Sequence, residues 1–299
     1  PKLDYTKPVL VAGSCFAELV ESRLREGGFN LTSPSHGILY HPFALSTMLH
    51  RWCEIPDGWP FLEYYDKKWI SLEHHGAFSS SSKEQTKEGM ISATNKCSVA
   101  LKEANFLFLS LGTAHFFNDN TSKNPVANCH KLPAERFVRL CASVSEIVES
   151  LSAAFQKLNE INPNLTVILS VSPVKHLRDG LSENSLSKSI LRVASDILCS
   201  ENSRVHYFPA FEILTEDLRD YRFYTEDLAH PSKAAQDYIF KYFSEACFSP
   251  ETTDIFRQVV AFRNLERHRP TSEPTAHLQA IEIQKERMIA HFPFLRDRL

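Results

Sequence analysis

The sequence predicts an α/β fold, a three-layer α/β/α sandwich around a parallel sheet with a helical appendage at its C-terminal end. Three observations lead there. Short runs that are apolar on both faces recur along the chain, as strands buried on both sides of a parallel sheet must. Each such run stops at a Gly or Pro turn, and segments of helical period separate the runs. The first run, Val9-Leu10-Val11-Ala12, passes through Gly13-Ser14-Cys15 into Phe16, Leu19, Val20 and Leu24, spaced as one face of a helix. Gly27-Gly28 stops that helix, and residues 29–31 form a second short strand before the loop with Pro34 and Gly37.

The run at 106–111 ends in Gly112, that at 166–171 in Ser172-Pro173, and that at 205–208 in Pro209. Helices are expected over about 136–159, 182–198 and 232–246, where apolar residues fall three and four apart. Residues from about 52 to 95 break the alternation, with His74-His75 and four consecutive serines, and read as an insertion over the site. The α/β domain is thus expected over 1–249. Residues 250–299 read as a charged helical extension packed on it, broken at Pro270 and Pro274.

Composition narrows the function. In 299 residues, 33 Lys and Arg stand against 36 Asp and Glu, a formal net charge of −3, so no positive field attracts nucleic acid or anionic membrane. No apolar run approaches the roughly 20 residues of a membrane span. Seven cysteines, an odd number without zinc spacing, fit a reducing compartment, and no basic-then-apolar leader opens the chain, so a cytoplasmic protein is expected. Phosphate-loop, dinucleotide and HExxH motifs are absent, and His74-His75 has no third ligand at a useful spacing; no cofactor and no metal are expected.

Chemistry concentrates at the carboxyl ends of the strands. Of only nine glycines, Gly13, Gly37 and Gly112 follow predicted strands. Ser14, after Gly13, is either the N-cap of its helix or a nucleophile placed where a helix N-terminus favours negative charge. Cys15 offers a thiol alternative, against which stands packing on the sheet. Asp227 and His230, three apart before Pro231, have the spacing by which a carboxylate orients an imidazole. His130, in Asn128-Cys129-His130-Lys131, either binds substrate or belongs to a hydrogen-bonded loop. His176 ends a strand on the functional edge and is assigned to substrate binding over a core role.

Gly13-Ser14-Cys15-Phe16-Ala17 spells the signature of the GSCFA domain family, and the chain resembles that family along most of its length. Similar stretches are Gly37-Ile38-Leu39-Tyr40-His41-Pro42, Leu111-Gly112-Thr113-Ala114, Asn128-Cys129-His130-Lys131, Ser170 through His176, Asp227 with His230-Pro231-Ser232, and His268-Arg269-Pro270. The resemblance implies kinship with SGNH, or GDSL-like, hydrolases and a flavodoxin-like sheet. It implies Ser14 as nucleophile, His230 as general base and Asp227 as its orienting acid. The implied reaction is that of a serine esterase acting on an acylated carbohydrate or small metabolite; the alternatives are an acyltransferase using the same site and a non-catalytic binding protein. The oxyanion hole would use the Ser14 and Gly37 amides, with Thr113 or Asn128 replacing the side-chain Asn that the third-strand loop lacks. One lost donor costs about 2.7–4 kcal/mol of transition-state stabilisation.

Overall fold

The computed structural model describes residues 2–268 and 274–299. Arg269 and Pro270, part of the family-like stretch and of the expected break, lie outside them. In chain order the strands are β1 (Val9–Gly13), β2 (Leu31–Thr32), β3 (Glu63–Tyr65), β4 (Lys68–Ile70), β5 (Phe106–Leu111), β6 (His115–Asp119), β7 (Pro125–Val126), β8 (Phe137–Cys141), β9 (Thr166–Val171) and β10 (Val205–Tyr207). The α-helices are α1 (Cys15–Glu26), α2 (Pro42–Cys53), α3 (Lys83–Glu103), α4 (Val144–Ile161), α5 (Leu181–Glu201), α6 (Ala210–Glu212), α7 (Lys233–Cys247), α8 (Pro250–Arg267) and α9 (Pro274–His291).

Five strands pair in parallel in the order β10-β9-β5-β1-β2. Alternation along the central strands divides the core in two. Leu10 and Ala12 of β1 and Leu107, Leu109 and Leu111 of β5 face α2, α3, α4 and α5. Val9 and Val11, with Phe106 and Phe108, face α1, α7 and α8. Both faces are therefore dry, which is why these strands carry no polar alternation. The C-terminal segment joins the second core through Ile255, Val259 and Phe262 of α8, Met288 of α9, and Leu295. Among the described residues no helix is long and apolar enough to cross a membrane.

The second strand, expected over 29–31, is β2 at Leu31–Thr32, and two further segments differ in kind from the sequence reading. Residues 137–141, expected in a helix over 136–159, form β8, which pairs antiparallel with β6 across Asp119↔Phe137 and His115↔Cys141. The helix starts only at Val144, after a Ser143 and Glu146 capping box. Within the expected insertion, β3 and β4 make a hairpin, but α3 begins at Lys83 and buries Met90, Cys97 and Leu101 as an ordinary crossover helix into β5.

Arg136 ties the small sheet to the hairpin. Its guanidinium donates to both Asp119 carboxylate oxygens, at 2.8 and 3.3 Å, and to Glu63 at 2.7 Å. The Arg136 guanidinium, with the Thr121 and Ser122 amides, holds the buried Asp119 carboxyl well below the usual range. A carboxyl depressed on folding adds stability that is complete above its unfolded pKa, near 4, and is lost as pH falls through the folded value. Asp119→Asn is expected to cost about 1–3 kcal/mol at pH 7 and to flatten the loss of stability below pH 4, checked by urea melts from pH 7 to pH 2.

Candidate active site

The β1–α1 turn divides its work residue by residue. Gly13 sits at φ +132°, and a Cβ on it would lie 2.2 Å from the Ser110 carbonyl oxygen of β5, so only glycine lets the two strands close here. Ser14 is the N-cap of α1. Its hydroxyl accepts from the Phe16 N–H at 3.4 Å and shares a hydrogen bond with the Ser110 hydroxyl at 2.9 Å, while its own N–H donates to the Ser110 carbonyl at 3.1 Å. Phe16 and Ala17 turn into the core, Phe16 edge-on to Phe108.

Cys15, expected to pack on the sheet, instead lines a cleft of about 520 Å³ at the carboxyl ends of β1, β5 and β9. Its thiol lies 3.6 Å from the Tyr40 hydroxyl. Burial, and then the bond to Cys15, push that phenol up, so it remains protonated. As first residue of α1, Cys15 has no intrahelical acceptor for its N–H, and the helix dipole favours negative charge at this end.

The loop carrying Tyr40 is stitched between two strands. The Leu39 N–H donates to the Gly13 carbonyl, and the Tyr40 carbonyl accepts from the Gly112 and Thr113 amides, all within 2.8–2.9 Å. His41 caps α2: Nδ1 accepts from the Ala44 N–H, so Nε2 carries the proton and donates to the Val126 carbonyl at 2.9 Å. Burial pulls this ring down to about 4. Beneath the loops, the buried Lys188 ammonium donates to the Gly112 and Ser172 carbonyls at 2.7 and 2.8 Å, strapping together the turns after β5 and β9. Desolvation lowers it to about 7.

His230 stands at the cleft with Asp227 beside it, the Nδ1 nitrogen 2.6 Å from the carboxylate. Asp227 is fixed by its own loop: one oxygen accepts from the Thr225 hydroxyl at 2.6 Å and from the Ala229 and His230 amides at 2.9 and 3.0 Å. These bonds, the Thr225 hydroxyl foremost, keep the carboxylate ionised far below its ordinary range. With Nδ1–H donating to Asp227, Nε2 is the nitrogen able to accept a proton. No hydrogen bond joins His230 to Ser14 among the described residues.

The remaining expected site residues separate into two groups. His176 and Asn128 line the cleft, the His176 ring edge-on to Tyr40. The Asn128 Oδ1 accepts from the His130 N–H at 2.8 Å, which leaves its amide nitrogen as the donor end. Thr113 also lines the cleft, with its hydroxyl at 3.1 Å from Ser187. His130 takes the hydrogen-bonded-loop alternative: at φ +48°, its Nε2 lies 2.8 Å from the Ser71 carbonyl and it borders a neighbouring depression. The Gly37 amide, expected in the oxyanion hole, donates to the Pro34 carbonyl at 3.4 Å, and that of Ser14 to the Ser110 carbonyl at 3.1 Å. Cys15, Tyr40, His115, Arg139, Lys175 and Arg178 line the cleft as well. His115 and Lys175 follow strand ends closely, the position that would have pointed to them in the sequence.

A larger groove, of about 1220 Å³ beside β2 and α3, carries no histidine or cysteine among its described lining residues. No group of three or more His, Cys, Asp or Glu able to hold a metal occurs among the described residues.

Among solved structures, the chain is similar to a Streptococcus pneumonia protein provisionally described as a platelet activating factor (17% identity, TM-score 0.34, 53% of this chain and 66% of that one). It is also similar to a Clostridium thermocellum family 3 carbohydrate esterase (14%, 0.28, 52% and 60%) and to a carbohydrate esterase family 3 protein from Talaromyces cellulolyticus (10%, 0.37, 84% and 98%). The chain thus spans less than two thirds of the first two. No curated protein matches it. The profile of the GSCFA family matches residues 8–243, a span that includes the signature at 13–17, and the chain belongs to the GSCFA family.

Proposed function

We propose that the cleft hydrolyses an ester, or transfers its acyl group, through a covalent acyl-enzyme, with His230 as general base and Asp227 as its orienting acid. The observation that carries this reading is the 2.6 Å Asp227–His230 pair at a cleft whose other wall is the N-terminus of α1. Cys15, on that wall, is the nucleophile. Its proton passes to His230 as sulfur bonds to the acyl carbon; the C–O bond breaks, and His230 returns the proton to the leaving alcohol. Water, or an acceptor alcohol, then gives its proton to His230 and cleaves the thioester, and the thiol regains a proton from His230. The Cys15 amide and the Asn128 side-chain nitrogen are the donors proposed for the oxyanion.

Ser14 is the second candidate nucleophile. It is favoured by its place before the cleft-lining Cys15 and by a hydroxyl already hydrogen-bonded, but it would have to leave Ser110. An acylated carbohydrate or small metabolite is the substrate class to test first, and seven free thiols fit a cytoplasmic setting. His230→Ala and Asp227→Asn are each expected to lower kcat for p-nitrophenyl esters by about 10²–10⁴-fold. Unchanged rates in both variants would remove His230 and Asp227 as base and orienting acid, and no ester turnover by the unaltered protein would leave a binding protein.

A further inference from the structure

Charge in the cleft runs against charge in the protein. The chain is net acidic, yet the described lining residues include Arg139, Lys175 and Arg178 and no Asp or Glu. Arg139 is already engaged within the protein and is set aside. Lys175 is different. Its ammonium lies 3.7 Å from the Tyr224 ring centroid and 5.2 Å from that of Tyr221, and it has no carboxylate partner among the described residues. Partial burial already disfavours its charge. A half-buried ammonium faced only by aromatic rings has charge left over for a ligand.

Its placement is tied to the chemistry. The Lys175 N–H donates to the Ala229 carbonyl at 3.0 Å, fixing this residue next to His230. Arg178 follows on the adjacent turn, exposed and without an ion pair among the described residues. Across the cleft His115 is 7% exposed, and neither ring nitrogen has a hydrogen-bond partner; a Glu183 carboxylate oxygen lies 3.6 Å from its Nε2. An unsatisfied buried imidazole in a water-accessible cleft is a polar group waiting for a ligand atom.

We infer that this cleft selects substrates that carry an anionic oxygen group, a carboxylate or a phosphate, close to the acyl bond, with Lys175 and Arg178 as its ligands and His115 contacting the same substrate. The inference rests on the acyl-transfer reading for its substrate, though not for its binding site.

Two matched ester pairs test it: p-nitrophenyl hydrogen succinate against its methyl ester, with the charge on the acyl side, and 4-acetoxybenzoate against its methyl ester, with the charge on the leaving side. In at least one pair kcat/KM is expected to favour the anion by about tenfold. That ratio, measured within each variant, should collapse in Lys175→Met and Arg178→Gln and persist in Lys241→Met on α7. Calorimetric binding of succinate and of inorganic phosphate to the same proteins forms the second arm, with binding lost in Lys175→Met. Ester turnover without anion preference, or anion binding that survives Lys175→Met and Arg178→Gln alike, overturns the inference while leaving the proposed activity standing. Lys175-dependent binding of either anion without turnover of any ester supports the inference and overturns the activity.

Discussion

Cys15→Ala is expected to lose about 10⁴–10⁶-fold in kcat for activated esters, whereas Ser14→Ala retains measurable turnover in a less stable protein. The contrast follows from where the turn sends each side chain. Ser14 caps α1 and bonds Ser110, so its removal forfeits a cap worth about 1 kcal/mol and one buried hydrogen bond. Cys15 lines the cleft beside Tyr40, and the proposed mechanism uses both its sulfur and its amide. Steady-state kinetics on the two variants, with melting temperatures measured alongside, separate the effects. The opposite order, an inactive Ser14→Ala and an active Cys15→Ala, restores Ser14 as nucleophile.

Gly13→Ala is expected to be the most damaging single methyl in the chain. The added carbon would sit 2.2 Å from the Ser110 carbonyl oxygen and 2.7 Å from the Ser110 nitrogen, both backbone atoms of a central strand. Nothing there can rotate away. The residue would also hold φ +132°, which an L side chain rarely adopts. Relief requires β1 and β5 to part at the end where the Ser14 N–H meets Ser110, at a cost of about 4–5 kcal/mol, a large share of a typical domain's 5–15. Gly89→Ala, at an exposed position of α3 with open space around it, is the matched control and should be neutral or stabilising by up to about 1 kcal/mol. Denaturant midpoints of the two variants check both signs at once.

The central sheet was legible because dryness on both faces leaves an unmistakable trace. The runs at 106–111 and 166–171 are strands to the residue, since a polar side chain on either face would be buried. The Asp227 and His230 pairing was legible too, being set by one local loop in which Asp227 bonds three nearby groups. What escaped depends on distant partners. Strand β8 leaves four of its five residues exposed, so it carries little apolar signature, and its partner β6 lies some twenty residues earlier. The partners of the Ser14 and Gly37 amides were hidden for the same reason, because the carbonyls they bond belong to Ser110 and Pro34. Which of two adjacent residues faces the cleft was likewise hidden. It is decided by the backbone at Gly13 and by a small polar partner at Ser110 on the neighbouring strand.

Lys188 shows a third kind of hidden residue. Within a helix of mixed polarity it reads as a surface lysine, yet it is buried and holds two carbonyls at the cleft floor. Only the arrival of the turns after β5 and β9 above α5 gives its ammonium a role, and neither turn is near it in sequence.

The central claim is tested most directly by trapping the acyl group. The protein is mixed with p-nitrophenyl acetate and quenched in acid within the first turnover, and peptide mass mapping then locates the added acetyl. The account predicts a burst of p-nitrophenol with acetyl on Cys15, sharply reduced in His230→Ala. Acetyl on Ser14 would contradict the assignment of the nucleophile, and turnover with no acetylated residue at 14 or 15 would contradict the acyl-enzyme itself.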